Sequence, residues 1–250
     1  MPLLDVILGY DCNLACTYCT ISPAMRARAL TTERVARAMK DARSRGYEDV
    51  SFTGGEPTIR GDLLSLVRYA KKLGFRDVKV QSNGLLFASR ANAERLVEAG
   101  VSTFHVSIHT HDEAAYDRMV RRPGSWPLMR DGLASLVALG VDPTADVILE
   151  ATTAPRVSDA LRWLAGLGVR RADLWSVSLT DANRDNVASM PRIVDVMPYV
   201  RGAFDLARSL GMTVRTLHVP RCLLGEHADH AHDPAADRVM VVTPDDVFEL

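Results

Sequence analysis

Short apolar, β-branched runs alternate with longer amphipathic stretches along most of this 250-residue chain, and few folds accommodate that rhythm. Strand-like runs occupy residues 3–8, 50–53, 78–82, 103–108, 145–149 and 172–177, and 213–217 offers a further one. Each is mostly apolar, the pattern expected of parallel strands covered on both faces. Between them lie helical stretches that stop at glycines: 31–45 before Gly46, a second opening at Gly61-Asp62 and ending at Gly74, and 89–99 before Gly100. The series continues with 126–139 before Gly140, 158–167 before Gly168 and a long one from 191 to Gly211. A glycine just past a helix is its usual C-terminal stop. Repeated strand–helix units in a chain of this length predict an α/β fold with a parallel sheet. Six such units make an open (β/α)6 barrel, a partial TIM barrel. With 47% of residues hydrophobic, the chain can bury a large core.

The chemistry starts directly after the first strand-like run. Cys12-Asn13-Leu14-Ala15-Cys16-Thr17-Tyr18-Cys19 packs three thiols into eight residues. Three cysteines neither pair off as disulfides nor complete a tetrahedral zinc site. They can hold three irons of a cubane 4Fe–4S cluster and leave the fourth open for chemistry. A long-range zinc site joining these thiols to Cys222, His227, His230 and His232 remains the alternative. After the second run comes Thr53-Gly54-Gly55-Glu56-Pro57, where glycines permit close backbone approach and a carboxylate can receive an ammonium group. The third run ends Gln81-Ser82-Asn83-Gly84 and the fourth Ser107-Ile108-His109-Thr110.

Cysteine spacing, an aromatic before the last cysteine and the Gly-Gly-Glu turn together resemble the radical S-adenosylmethionine (radical SAM) enzymes over residues 3–217. The branch it looks like contains the molybdopterin-precursor cyclases and peptide maturases. The resemblance implies a 4Fe–4S cluster on Cys12, Cys16 and Cys19 whose open iron chelates SAM. It assigns the SAM amino group to Gly54, Gly55 and Glu56, and further contacts to Asn83, Ser107 and His109. His109 stands where these branches carry aspartate. Tyr18 is expected to pack on adenine, and Arg121, or its neighbour Arg122, to meet the SAM carboxylate. Val147, Glu150, Ser176 and Val177 are rim positions by barrel geometry. The activity implied is reductive cleavage of SAM to a 5′-deoxyadenosyl radical that takes hydrogen from a small-molecule or peptide substrate, with electrons from a reductant such as flavodoxin. A glycyl-radical activase and a non-catalytic iron–sulfur or zinc module are the alternatives.

Residues 1–217 read as the core domain and 218–250 as a C-terminal extension. The extension carries Cys222, the acidic histidine-rich stretch 226–233 and a hairpin around Pro244-Asp245-Asp246. Its last run stops in mid-strand character, so the chain is expected to continue past Leu250. Cys222 has three candidate roles: ligand of an auxiliary cluster, a substrate-side thiol, or a packed small hydrophobe. Cys222 and His109 are the separate catalytic candidates. Net charge is −1, which speaks against nucleic acid or an anionic membrane as partner. No apolar run approaches the ~20 residues of a membrane helix. With three of the four cysteines clustered, a cytoplasmic protein is expected.

Overall fold

The computed structural model describes residues 2–177, 179–180, 183–233 and 238–250. Its strands are β1 (Pro2–Ile7), β2 (Asp49–Thr53), β3 (Asp77–Ser82), β4 (Thr103–Ser107), β5 (Thr144–Ile148), β6 (Arg171–Trp175), β7 (Thr213–Leu217), β8 (Arg238–Val242) and β9 (Val247–Glu249). They join in one sheet of order β7-β6-β5-β4-β3-β2-β1-β8-β9. All pairings are parallel except that of β8 with β9. This is the α/β partial barrel the alternation predicts, extended at the β1 edge by an antiparallel hairpin. The hairpin belongs to the same sheet, because β8 lies beside β1 with Leu4 opposite Met240.

The helices are α1 (Thr32–Ser44), α2 (Leu63–Lys72), α3 (Arg90–Ala99), α4 (Glu113–Val120), α5 (Ser125–Ala138), α6 (Val157–Gly166) and α7 (Ile193–Leu210). Thr31 caps α1, its hydroxyl accepting from Arg34 N at 3.2 Å, which satisfies one of the free amides of the first turn. Helix α4 is an addition to the sequence reading. It is only two turns long, follows directly on a His-Thr-His-Asp run, and buries just Tyr116, Met119 and Val120. Asp112 starts it by accepting from Ala115 N at 2.8 Å.

One expectation needs correcting. The strands are not apolar on both faces. Leu4, Val6, Phe52, Val80, Phe104 and Val106 point toward the helices and are fully buried. The opposite faces carry Asp5, Lys79, Gln81, His105, Asp173 and Arg215, which line a polar lumen. Successive strand residues face opposite ways, so the sheet has a dry helix-side core and a wet interior. Inside it, Asp146 accepts from Gln81 Nε2 at 3.0 Å and Trp175 Nε1 at 3.3 Å, and pairs with His105 Nδ1 at 3.1 Å. Arg215 holds Asp173 with two bonds of 3.0–3.1 Å.

Candidate active site at the cysteine cavity

The loops that follow β1 to β4 gather at the carboxyl ends of the strands, where parallel barrels build their sites. Cys12, Cys16 and Cys19 all line one cavity there, with Tyr18, Arg26, Gly54, Gly55, Asn83, Ser107 and His109. All three thiols are free and half-buried. Two backbone amides point at sulfur: Leu14 N at Cys12 and Ile21 N at Cys19, each at 3.4 Å. Burial pushes the Cys16 thiol up to about 12 and raises that of Cys12, so neither ionises readily until a cation replaces the proton.

The cysteine loop is tied down on several sides. Ala15 N and Thr17 N donate to Val120 O and Met119 O at the end of α4. Thr17 Oγ1 donates to Glu150 Oε1 at 3.0 Å. Asn183 and Asn186, on the loop after β6, donate to Tyr18 O at 2.9 Å and Thr17 O at 2.5 Å. Arg26 contributes most directly, its guanidinium donating to Cys12 O at 2.9 Å and Leu14 O at 2.6 Å. Sequence reading missed Arg26. The available signal was a cation a few residues past the last cysteine, one of many arginines in this chain.

Gly54 and Gly55 are glycines for a reason other than ligand approach alone. A Cβ on Gly54 would stand 2.3 Å from Gly9 O, and one on Gly55 2.0 Å from Asp11 O. Gly54 also has φ of +131°. The turn after β2 runs hard against the loop after β1, with Gly55 N bonded to Gly9 O at 2.9 Å and Glu56 N to Asp11 O at 2.8 Å. Any side chain would force the two loops apart.

Glu56 is buried beside this contact and does not line the cavity directly. Its Oε1 accepts from Thr58 N at 3.0 Å, Thr58 Oγ1 at 2.5 Å and Ser82 Oγ at 2.8 Å. Oε2 accepts from Asn83 N at 2.7 Å. Burial raises its carboxyl above the usual range, against the pull of these donors. Asn83 continues the chain of contacts: Nδ2 donates to Asn13 Oδ1 at 2.7 Å, inside the cysteine loop, and Oδ1 accepts from Leu85 N at 3.1 Å. Glu56 therefore locks the β2 and β3 turns together behind the cavity wall.

His109 is buried, and burial lowers its imidazole to about 3, which keeps the ring neutral. Its Nε2 lies 2.6 Å from the Tyr18 hydroxyl. Four residues stand elsewhere than expected. Arg121 is the exposed C-terminal cap of α4, with φ of +53°, outside the cavity; its neighbour Arg122 reaches Asn13 O at 3.3 Å. Cys222 is exposed on a short turn at Arg221–Leu223, so it is no packed hydrophobe and does not reach the cysteine cavity. Val147 is buried in the sheet, and Ser176 N bonds Leu217 O, so neither faces the cavity.

Among the described residues the histidine-rich stretch contributes no group of three potential ligands. His227 and His230 pack against Phe204 of α7, with His230 stacked at 4.1 Å and its Nδ1 bonded to Val214 O at 2.7 Å. Among the described residues a three-member group of potential metal ligands occurs only at His105, Asp146 and Asp173 in the lumen. Those side chains are already paired with Gln81, Trp175 and Arg215.

Residues 6–163 match the family model described as the radical SAM superfamily. A probable GTP 3′,8-cyclase of Saccharolobus islandicus is 31% identical over 145 residues, covering 57% of this chain and 46% of that protein. Molybdenum cofactor biosynthesis protein 1 of Homo sapiens is 32% identical over 145 residues, 56% of this chain and 22% of that one. The chain thus spans about half the length, or less, of these curated relatives. Streptococcus suis SuiB bound to S-adenosylmethionine superposes with a TM-score of 0.79 at 14% identity, over 99% of this chain and 59% of that one. Native anSMEcpe with AdoMet and a peptide gives 0.68 at 16%, over 86% and 64%. At such identities the structural likeness speaks for the fold, while the family match covers more than half of the sequence. This chain belongs to the radical SAM superfamily.

Proposed function

We propose that the cysteine cavity holds a 4Fe–4S cluster and SAM, and that the protein is a radical SAM enzyme acting on a small molecule or a peptide. The observation that carries this reading is three free thiols converging on one cavity with a wall of glycine backbone. The donor set fits: three sulfurs, two of them already approached by amides, leave a cubane's fourth iron without a protein ligand. When bound, the group would supply one-electron cleavage of SAM and a radical able to take hydrogen from substrate.

The chain's own residues do the rest. Arg26 holds the carbonyls of Cys12 and Leu14, keeping the ligand loop in shape. The Gly54 and Gly55 backbone leaves room for the methionine end of SAM, and Glu56 fixes that backbone relative to Asn83. In this reading Ser107 and His109, both lining the cavity, meet the nucleoside end. Because Arg121 stands outside, Arg26 is the cation left on the cavity wall near the expected carboxylate. A low-potential reductant such as flavodoxin is the implied electron donor. A peptide substrate draws support from the likeness to SuiB, also solved with the precursor peptide SuiA. A nucleotide-like small molecule draws support from the cyclases.

Anaerobic reconstitution tests the reading: about four irons and four sulfides per chain are expected, with 5′-deoxyadenosine released from SAM on reduction. Stoichiometric zinc without iron, or a reduced cluster that leaves SAM intact, contradicts it.

A further inference from the structure

We propose that Asp5, Ser51 and Lys79, side by side in the barrel lumen, bind the head of a free α-amino acid, its ammonium on Asp5 and its carboxylate on Lys79. The inference rests on the radical SAM reading above and names the substrate class for it. The lumen is a cavity of about 540 Å³, ample for a small molecule. Gln81 lines both this lumen and the cysteine cavity, so a ligand held there has the proposed cluster site on one side.

Most of the charges lining the lumen already have partners. Arg76 holds Asp49 at 2.8 Å, Thr103 Oγ1 donates to Asp77 at 2.8 Å, Arg215 holds Asp173 at 3.0 Å, and Asp142 pairs with Arg171 at 3.0 Å. Asp5 and Lys79 differ. Asp5 Oδ1 is buried without a hydrogen-bond partner, and the half-buried Lys79 ammonium has no ion pair among the described residues. Between them in the register stands Ser51, opposite Asp5 on one side and Lys79 on the other. Strand alternation turns Ser51 to the lumen with Asp49, and its Oγ is fully buried without a partner. Burial raises the Asp5 carboxyl, and the Lys79 ammonium and Ser51 hydroxyl draw it back without reaching bonding geometry.

Buried polar groups in a folded chain are nearly always hydrogen-bonded. Two unpartnered oxygens in a row with an unpaired ammonium therefore mark a place where a ligand supplies the bonds. The charges select its class, because a charge left unpaired in a closed site costs affinity. A cationic ligand would satisfy Asp5 and oppose Lys79, and an anionic one would do the reverse. The interior of a peptide chain offers neither charge. A head with an ammonium and a carboxylate on one carbon satisfies both. Ser51, with one donor and two acceptor lone pairs, serves either end.

The test is isothermal titration calorimetry of the reconstituted protein, with SAM present so that its own amino-acid end is already placed. The probes are the common free L-amino acids and, for each that binds, its N-acetyl and carboxamide derivatives. One or more free amino acids should bind. Each derivative should bind about tenfold or more weaker, having lost one charge-assisted contact. Asp5→Asn and Lys79→Met should cost the same factor, and Asp5→Asn should cost nothing further against the N-acetyl derivative. Because neither side chain is tied into the fold, both variants should unfold at or above the wild-type midpoint. No heat from any free amino acid overturns the proposal, as do derivatives that bind equally well or variants that bind like the wild type. A lower midpoint in both variants makes Asp5 and Lys79 a structural pair and overturns it too. Amino-acid binding by a protein that takes up no iron keeps this site and contradicts the cluster reading instead.

Discussion

Two segments of this chain look equally suited to metal in one dimension: the cysteine loop 12–19 and the histidine-rich stretch 222–232. Folding treats them oppositely. The first lies beyond the carboxyl end of β1, where three further loops converge and polar backbone stays open to a ligand. The second lies along the β7 edge of the sheet, beside α7, with Ala231 bridged to Thr216. There His227 and His230 serve as flat rings against Phe204, and Cys222 faces solvent. Ligand-type residues close in sequence become a site only where the fold turns them toward one cavity. The His230 ring is stacked on Phe204, with Nδ1–H donating to Val214 O, whereas the three cysteine sulfurs line one cavity.

The largest effect should come from replacing Cys12, Cys16 and Cys19 together by alanine, which is expected to abolish iron uptake and the ~400 nm absorption of such clusters. The matching triple replacement of His227, His230 and His232 should leave iron content unchanged. Iron lost equally in both would erase the distinction between the segments.

Gly55→Ala sharpens the comparison next. Its Cβ would sit 2.0 Å from Asp11 O, so the β1 and β2 loops must separate. Overpacking of backbone on backbone should cost about 3 kcal/mol or more, read as a fall in unfolding midpoint together with loss of cluster. A variant of wild-type stability would show that the two loops are not in contact.

Glu56→Gln follows. Every oxygen of Glu56 faces a donor, so an amide must set its NH2 against an N–H or O–H. About 1–3 kcal/mol of stability should go, and SAM affinity should fall roughly tenfold or more as the cavity wall loosens. Titration of SAM into the reduced variant, beside thermal unfolding, separates the two effects. Stability lost with affinity intact would confine Glu56 to the scaffold.

At the small end, His230→Ala gives up a stacking contact and a hydrogen bond, about 1–2 kcal/mol, with no change in metal content. Cys222→Ser, on an exposed turn, should stay within about 0.5 kcal/mol in unfolding and keep the iron stoichiometry of the wild type. A lower iron count in Cys222→Ser would bring the second segment back as a ligand.

The barrel and the three cysteines were legible because both are written in spacing: strand–helix alternation for one, thiols three and four residues apart for the other. Interior polarity was legible in principle, since Asp5, Lys79, His105 and Asp173 sit at alternate strand positions, but runs counted as mostly apolar concealed it. Helix α4 escaped because it is short: its apolar spacing is confined to Tyr116, Met119 and Val120, and its start rests on the Asp112 cap. Glu56 and Arg26 depend on tertiary placement. Nothing local says that one carboxylate will meet Ser82, Asn83 and Thr58, or that this arginine among many will reach two carbonyls of the cysteine loop. Arg121 was assigned to SAM through the family resemblance, and in the structure it is the exposed left-handed cap of α4.

The decisive property of the cysteine cavity is whether it presents an iron that SAM can occupy. The measurement is electron paramagnetic resonance of the reduced, reconstituted protein with and without SAM, at an iron and sulfide content determined on the same sample. The account predicts a reduced 4Fe–4S signal whose g-values change when SAM is added, with a smaller response in Glu56→Gln. A signal indifferent to saturating SAM, or zinc in place of iron, would contradict it.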